Sequence, residues 1–368
     1  MPENKKIILL SSRLDTPGGI ERAVVNTAGL FAEQGYTVSI IVADTEGLQK
    51  SYYPVHSSIN ISWIYADFGI GGNGSSISRK IRLIRDIRKL GKAIRKQTPD
   101  IVISSEYHLN AAMVLSGGAG KALKFSWEHH SFGHIKTNRF WSFLKQYSYK
   151  KLNGIVCLND KEAALFRSAG QVYIIPNFIR LSALNSDKSA AHQLLTVGWL
   201  TEMKGIDRLP AIASSILKKH PGWTWKIIGD GPQKPVLEAF IKEENLENQL
   251  LLVGSAEADL ERAYRESGFL VLLSRTEAFP MVILEAMAAG LPCVSFDCPT
   301  GPGMIIQHGT DGLLVENENN EKMIAAIDQF ISNGNMRIQY GTAALKNVQR
   351  FSPEAVSKKW DSLFAITP

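Results

Sequence analysis

The chain has 368 residues, 45% of them hydrophobic, with 41 Lys and Arg against 35 Asp and Glu and a net charge of +6. That length exceeds what one core normally supports, so two domains are expected, each able to bury a substantial interior. The three cysteines, Cys157, Cys293 and Cys298, are odd in number and lack metal-type spacing, which fits a reduced, cytoplasmic chain and argues against a secreted disulfide scaffold.

The first apolar run, "KKIILLSS", reads as a buried strand; its "IILL" is far short of the ~20 residues a membrane span requires. No signal peptide is read, so any meeting with a membrane is expected from the surface. A loop, "RLDTPGGIERA", leads into a helix, "ERAVVNTAGLFAEQG", and then a second strand, "YTVSIIVAD". Further strands are expected at "PDIVISSEY", "KFSWEHH", "GIVCLND" and "VYIIPN". Strands alternating with helices predict a parallel sheet covered on both faces. Ligands of such sheets bind at the carboxyl ends of the strands, where "DTPGG", "EHH", "LND" and "IPN" fall.

Between the second and third of these strands lies "RKIRLIRDIRKLGKAIRK", residues 79–96, with nine Lys and Arg against one Asp. This local +8 leaves about −2 for the remainder of the chain. Leu83, Ile87, Leu90 and Ile94 fall at helical spacing inside it, predicting an amphipathic helix. One reading is a domain helix with its apolar face on the sheet and a solvated, charged back. The other gives Arg85, Arg88, Lys89 and Lys92 to an acceptor carried on a polyprenyl diphosphate or glycolipid at an anionic membrane surface. Nucleic acid is not expected, because the stretch lacks interleaved aromatics and the rest of the chain is not basic.

Glu128, His129, His130 and His134 do not follow the HExxH order and have no cysteine pair nearby, so no metal is expected there. "SGGAGK", residues 116–121, is not a phosphate loop: Leu115 stands where the first glycine is needed and Ala122 replaces the Ser or Thr. Residues 182–192, "SALNSDKSAAH", read as a linker. Beyond it six strands follow, "QLLTVGWL", "WTWKIIGDG", "LLLVGSA", "FLVLLSR", "LPCVSFD" and "GLLVE". The expected fold is therefore α/β, two doubly wound domains facing a cleft, residues 1–183 and 184–350. A final helical segment, 351–368, carries Val356, Trp360 and Leu363 on one side and is expected to pack back across the junction.

"SRTEAFPMVILEA", residues 274–286, holds the most informative chemistry. Proline suits a first helical turn, so the helix is "MVILEAMAAG", starting near Phe279-Pro280 and ended by Gly290 and Pro292. The backbone N–H groups of Met281, Val282 and Ile283 then lie at the positive end of a helix dipole, suited to phosphate. Glu277 could accept hydrogen bonds from a sugar and Glu285 from a ribose, which together fit a nucleotide sugar. The plain alternative is a solvated loop glutamate and a helix-face glutamate. Lys204, after a buried strand and before Gly205, is placed to offset charge developing on a leaving group.

These stretches, with "GGIER", "EHH", "VGWLTEMKG", "IIGDGP", "LLVGSA" and "CPTGP" in order, resemble the retaining glycosyltransferases of family 4, whose GT-B architecture pairs two Rossmann-like domains. The resemblance implies transfer of a sugar from a UDP-sugar to a hydroxyl of a saccharide or lipid-linked saccharide in surface polysaccharide biosynthesis, with no metal or other cofactor. It implies that Gly18 and Gly19 bring backbone close to the diphosphate or acceptor, and that Glu21 and Arg22 open the following helix. His129 would approach the donor sugar and Lys204 the diphosphate, with Glu277 completing the catalytic set. Gly229 to Gly231 would lie beside the nucleoside and Val253 and Gly254 beside the base, with Phe279, Pro280, Met281, Val282 and Glu285 completing the donor-binding set. Three departures stand out: Trp199 in place of an arginine, Ala278 in place of glycine, and Gly303-Met304 in place of arginine and glutamate. Arg275 and Arg13 are the cations considered as substitutes. The alternative that these departures raise is a nucleotide-sugar-binding subunit that supports a partner transferase.

Overall fold

Short runs rich in Ile, Leu and Val become strands covered on both faces, as parallel sheets require. The computed structural model describes residues 5–44, 47–68, 76–129, 139–180 and 191–366. Its chain divides into two units, Met1–Asn177 with Val356–Pro368, and Phe178–Ala355.

The first unit contains β1 (Lys6–Ser11), β2 (Thr37–Ala43), β3 (Asn60–Ile64), β4 (Ile101–Ser104), β5 (Leu123–Glu128), β6 (Gly154–Cys157) and β7 (Val172–Ile174). Their order across the sheet is β3-β2-β1-β4-β5-β6-β7, with every pairing parallel. The second unit contains β8 (Gln193–Val197), β9 (Thr224–Ile228), β10 (Leu250–Val253), β11 (Phe269–Leu272), β12 (Cys293–Asp297) and β13 (Gly312–Glu316). Its order is β10-β9-β8-β11-β12-β13, again all parallel. Each sheet thus reverses direction once, between β1 and β4 and between β8 and β11. In a doubly wound sheet that reversal opens a crevice at the strands' carboxyl ends.

The six strands expected in the second half are all present. The first half gains β3, which pattern reading missed: it is an edge strand, and Ile61 to Ile64 are all only half-buried. A strand without a fully buried apolar run gives no strong signal.

The basic stretch forms the helix Ser76–Gln97. Leu83, Leu90 and Ile94 are buried on the sheet side, and Ile87 packs beside them. This helix lies against Tyr107–Ser116, which lies against Arg139–Tyr149, and the three share one core with Met113, Trp141 and Leu144. Asp86 on the same helix is fully buried; it accepts the backbone N–H groups of Asp67 and Phe68 and pairs with Arg85 at 3.1 Å.

The final helix, Pro353–Ile366, belongs from Val356 onward to the first unit. Trp360 meets Phe31 and Trp127 edge-on, with centroids 5.5 and 5.6 Å apart. Asp361 accepts hydrogen bonds from Gln34 Nε2 at 3.1 Å and the Tyr36 hydroxyl at 3.3 Å. Burial, then the neighbouring Asp361, pushes the Tyr36 phenol up to about 12. The last helix therefore completes a core begun by the first.

Trp360→Ala is expected to cost roughly 3–5 kcal/mol, the range for truncating a buried aromatic. Hydrogen exchange will read this locally: β1 and β5 amides exchange faster, while β8 and β9 amides keep their protection.

Candidate functional site

At the reversal of the second sheet, the segment after β8 forms a short 3-10 turn, Glu202–Lys204, and leaves it through Gly205 at φ +73°. A Cβ on Gly205 would strike the Leu273 carbonyl, so only glycine allows the loops after β8 and β11 to lie this close. Lys204 Nζ donates to Glu277 Oε1 at 2.6 Å, and Ser274 Oγ donates to the same oxygen at 2.7 Å. The Glu277 backbone carbonyl accepts from Thr300 Oγ1 at 2.8 Å, and Gly301 packs directly against the Glu277 Cβ. Loops following β8, β11 and β12 therefore converge on one residue. The Glu277 side chain is 9% exposed, so it is not a solvated loop glutamate. Ser274 and Thr300 were not singled out in the sequence, although they lie inside the stretches "SRTEAFP" and "CPTGP".

The helix that follows is Met281–Ala288, capped by Pro280 in extended conformation. The amide edge is smaller than expected, because the Ile283 N–H donates to the Pro280 carbonyl at 3.1 Å. Met281 and Val282 open the first turn, where helix amides lack intrahelical acceptors. Phe279 turns inward, its ring edge-on to Phe351 at 5.5 Å, so the side chain serves packing rather than a ligand surface. Glu285 is half-buried and its Oε2 accepts the Tyr264 hydroxyl at 2.6 Å, a partner the sequence did not suggest.

The turns after β9 and β10 are joined through Asp230. Its Oδ2 accepts Ser255 N–H at 2.8 Å and Ser255 Oγ at 2.6 Å, and its Oδ1 meets Lys234 Nζ at 3.1 Å. The Ser255 bonds, then Lys234, hold the Asp230 carboxyl down at about 2. Gly229 and Gly231 flank this aspartate; a Cβ on Gly229 would run into the Gly198 carbonyl, so the loop is packed against the end of β8. Val253 and Gly254 precede Ser255 and are set by the same tie.

Neither candidate substitute for an arginine at Trp199 is available. Arg275 is locked to Asp207 by two bonds of 2.6 and 2.7 Å and also donates to the Glu202 carbonyl. Arg13 forks onto Asp15 at 3.1 and 2.9 Å. Trp199 itself is exposed. At Gly303 the space a side chain would need is taken by the Asp297 carboxylate.

In the first unit Gly18 caps the helix Gly19–Glu33. The Glu21 carboxylate occupies the place of a Cβ on Gly18, so this glycine makes room for Glu21; Gly19 has open space. Glu21 also accepts from Thr16 Oγ1 at 2.9 Å, and burial raises its carboxyl pKa. His129 follows β5, buried, with its ring 4.2 Å from that of Trp127. His130 and His134 lie outside the described residues. Among the described residues no group of three or more His, Cys, Asp and Glu could hold a metal. An unexpected cluster sits at the reversal of the first sheet: Ser12 N–H and Oγ donate to Glu106 at 3.0 and 2.8 Å, and Ser12 Oγ lies 2.8 Å from His108 Nε2. On the basic helix Lys89 donates to the Tyr65 carbonyl at 2.9 Å and Arg85 pairs with Asp86, whereas Arg88 and Lys92 are exposed.

Two family models divide the chain: residues 17–183 match "Glycosyltransferase Family 4" and residues 184–347 match "Glycosyl transferases group 1". The chain belongs to the GT-B glycosyltransferases. It is 28% identical to an uncharacterized glycosyltransferase of Haemophilus influenzae, over 98% of this chain and 99% of that one. It is 29% identical to the amylovoran biosynthesis glycosyltransferase AmsD of Erwinia amylovora, over 97% of this chain and 99% of that one. A solved structure of S. aureus TarM, a mutant in complex with fondaparinux, alpha-GlcNAc-glycerol and UDP, superposes with a TM-score of 0.81 at 16% identity, over 98% of this chain and 99% of that one. That likeness establishes the fold. Among the described residues of the transferase, no helix is long and apolar enough to cross a membrane.

The Asp230 tie carries a pH signature. A carboxyl held at about 2, below its ordinary 3.8, stabilises the folded form above pH 4 and loses that contribution as pH falls toward 2. Asp230→Asn is expected to remove this acid-side slope, and carboxyl NMR on the parent protein should place the Asp230 midpoint near 2.

Proposed function

We propose that this transferase moves a sugar from a UDP-sugar to a hydroxyl of a saccharide or lipid-linked saccharide, with retention at the anomeric carbon, in the assembly of a surface polysaccharide or lipopolysaccharide. The observation that carries the proposal is the Lys204–Glu277 pair at the reversal of the second sheet, beside the start of the helix Met281–Ala288. The name of AmsD refers to a polysaccharide, and the TarM structure contains UDP; both support the reading.

Lys204 is bound to Glu277. An arriving diphosphate competes for the lysine, and Glu277, still held by Ser274, then turns its freed acceptor capacity to sugar hydroxyls. Lys204 and the amides of Met281 and Val282 offset the charge that grows on the diphosphate as the bond from the anomeric carbon to its oxygen breaks. The acceptor oxygen bonds to the same face of that carbon and passes its proton to the leaving phosphate oxygen. The charge is thus assigned to protein groups, and no metal is invoked. Gly229, Gly231, Val253 and Gly254, aligned through Asp230, hold the nucleoside and base, and Glu285 with Tyr264 meets the ribose. His129 is assigned to the donor sugar. The acceptor side includes a saccharide carried on a polyprenyl diphosphate at the cytoplasmic leaflet, with the exposed Arg88 and Lys92 supplying cations, whereas Arg85 and Lys89 are engaged by Asp86 and the Tyr65 carbonyl.

The assembled pair favours transfer over a non-catalytic subunit, a reading that rests on Trp199, Ala278 and Gly303-Met304 alone.

Glu277→Gln and Lys204→Ala are each expected to lower turnover at least ~100-fold, the scale for removing one stabilising contact in a transition state. Ligand-free Glu277→Gln should melt near the parent temperature, whereas Lys204→Ala strands a nearly buried carboxylate and should melt lower; a panel of UDP- and GDP-sugars should raise the parent's melting temperature selectively for one donor. Near-normal turnover in both variants would put the chemistry elsewhere.

A further inference from the structure

The helix Ser76–Gln97 carries a second apolar stripe that the sequence reading did not isolate. Ile77, Ile81 and Ile84 lie on its outer side, 71%, 63% and 50% exposed, opposite the buried Leu83, Leu90 and Ile94. The spacing continues without a break: Ile77, Ile81, Ile84, Arg88, Lys92 and Arg95 follow one another at four, three, four, four and three residues, all on one exposed face. This outer line is isoleucine in its first half and cationic in its second. A merely solvated back would not be built this way. Isoleucine is a weaker helix former than the Lys, Arg or Glu usual on such a face, so propensity does not explain three of them.

The helix Arg139–Tyr149 repeats the feature. Phe140, Phe143 and Tyr147 are exposed on one side, with Phe143 at 65%, while Trp141 and Leu144 enter the core shared with the basic helix. The Phe143 and Tyr147 rings stack with centroids 6.5 Å apart, forming an apolar surface with a polar tip. Exposed aromatics of this kind suit the boundary between water and lipid.

We propose that these two outer faces dock the transferase on an anionic lipid membrane, the isoleucines and aromatic rings entering the headgroup boundary and Arg88, Lys92 and Arg95 pairing with lipid phosphates. Charge complementarity selects this occupant: the segment 79–96 carries a local +8 while the rest of the chain is slightly acidic. A free anionic metabolite would satisfy the cations but leave the isoleucines in water. The proposal deepens the lipid-linked acceptor reading, yet it rests on exposed faces of the first unit and does not depend on the donor site.

The test is cosedimentation of the full-length protein with protein-free vesicles, either phosphatidylcholine alone or an equal mixture with phosphatidylglycerol. The expected result is binding to the mixed vesicles that weakens with salt. Replacing all three of Ile77, Ile81 and Ile84 by Ser should reduce partitioning at least tenfold at every salt concentration. Arg88→Gln, Lys92→Gln and Arg95→Gln together should instead abolish the preference for phosphatidylglycerol. UDP-induced thermal shifts measured on the same variants should match the parent protein, showing that each is folded and separating this proposal from the donor-site reading. Absence of binding to mixed vesicles by the parent protein, or parental binding by the triple-serine variant, would overturn it.

Discussion

A carboxylate with three separate anchors governs the second unit. Glu277 is gripped at its side chain by Lys204 and Ser274 and at its backbone by Thr300, so the ends of β8, β11 and β12 are joined through it. Because a charged group with little exposure must be paired, the same bonds that satisfy the glutamate also fix the loops. The pair combines burial of the carboxylate with a lysine that is one-third exposed, which leaves the cation accessible from solvent. A static ion pair of this geometry would be ordinary architecture anywhere else. Its place at the sheet reversal, where a doubly wound sheet presents its ligand crevice, is what the proposed chemistry rests on.

Charge elsewhere is distributed with similar economy. Asp230 couples two turns, Asp207 immobilises Arg275, and Asp86 ties the Asp67–Phe68 backbone to the basic helix. These acids are consumed in holding loops. The excess cations are gathered on one helix, where several face outward.

Much of the architecture was legible because its signals are local and repeated. Short apolar runs ending in Gly or polar residues located all six strands of the second sheet, and proline at position 280 located the helix beyond it. The stripe of Leu83, Leu90 and Ile94 located the buried side of the basic helix. What escaped had no one-dimensional signature. β3 is a half-buried edge strand; Ser274, Thr300 and Tyr264 matter through contacts with residues made near by folding. Nothing in one dimension shows that the missing side chain of Gly18 accommodates the Glu21 carboxylate. Arg275 looked like a spare cation until Asp207 was seen beside it. The residue types were readable in each case, while their partners were not.

The return of the C-terminal helix to the first unit has a consequence for biogenesis. Phe31, Trp127 and Phe125 emerge from the ribosome well before their aromatic partners Trp360 and Phe364, which follow only after the second unit. During synthesis the leading half must wait with that apolar surface uncovered while the whole intervening unit is made. The nascent chain therefore passes through an interval of chaperone demand that lasts until the helix Pro353–Ile366 has been made, and a chain cut just before that helix would be left incomplete in its first unit.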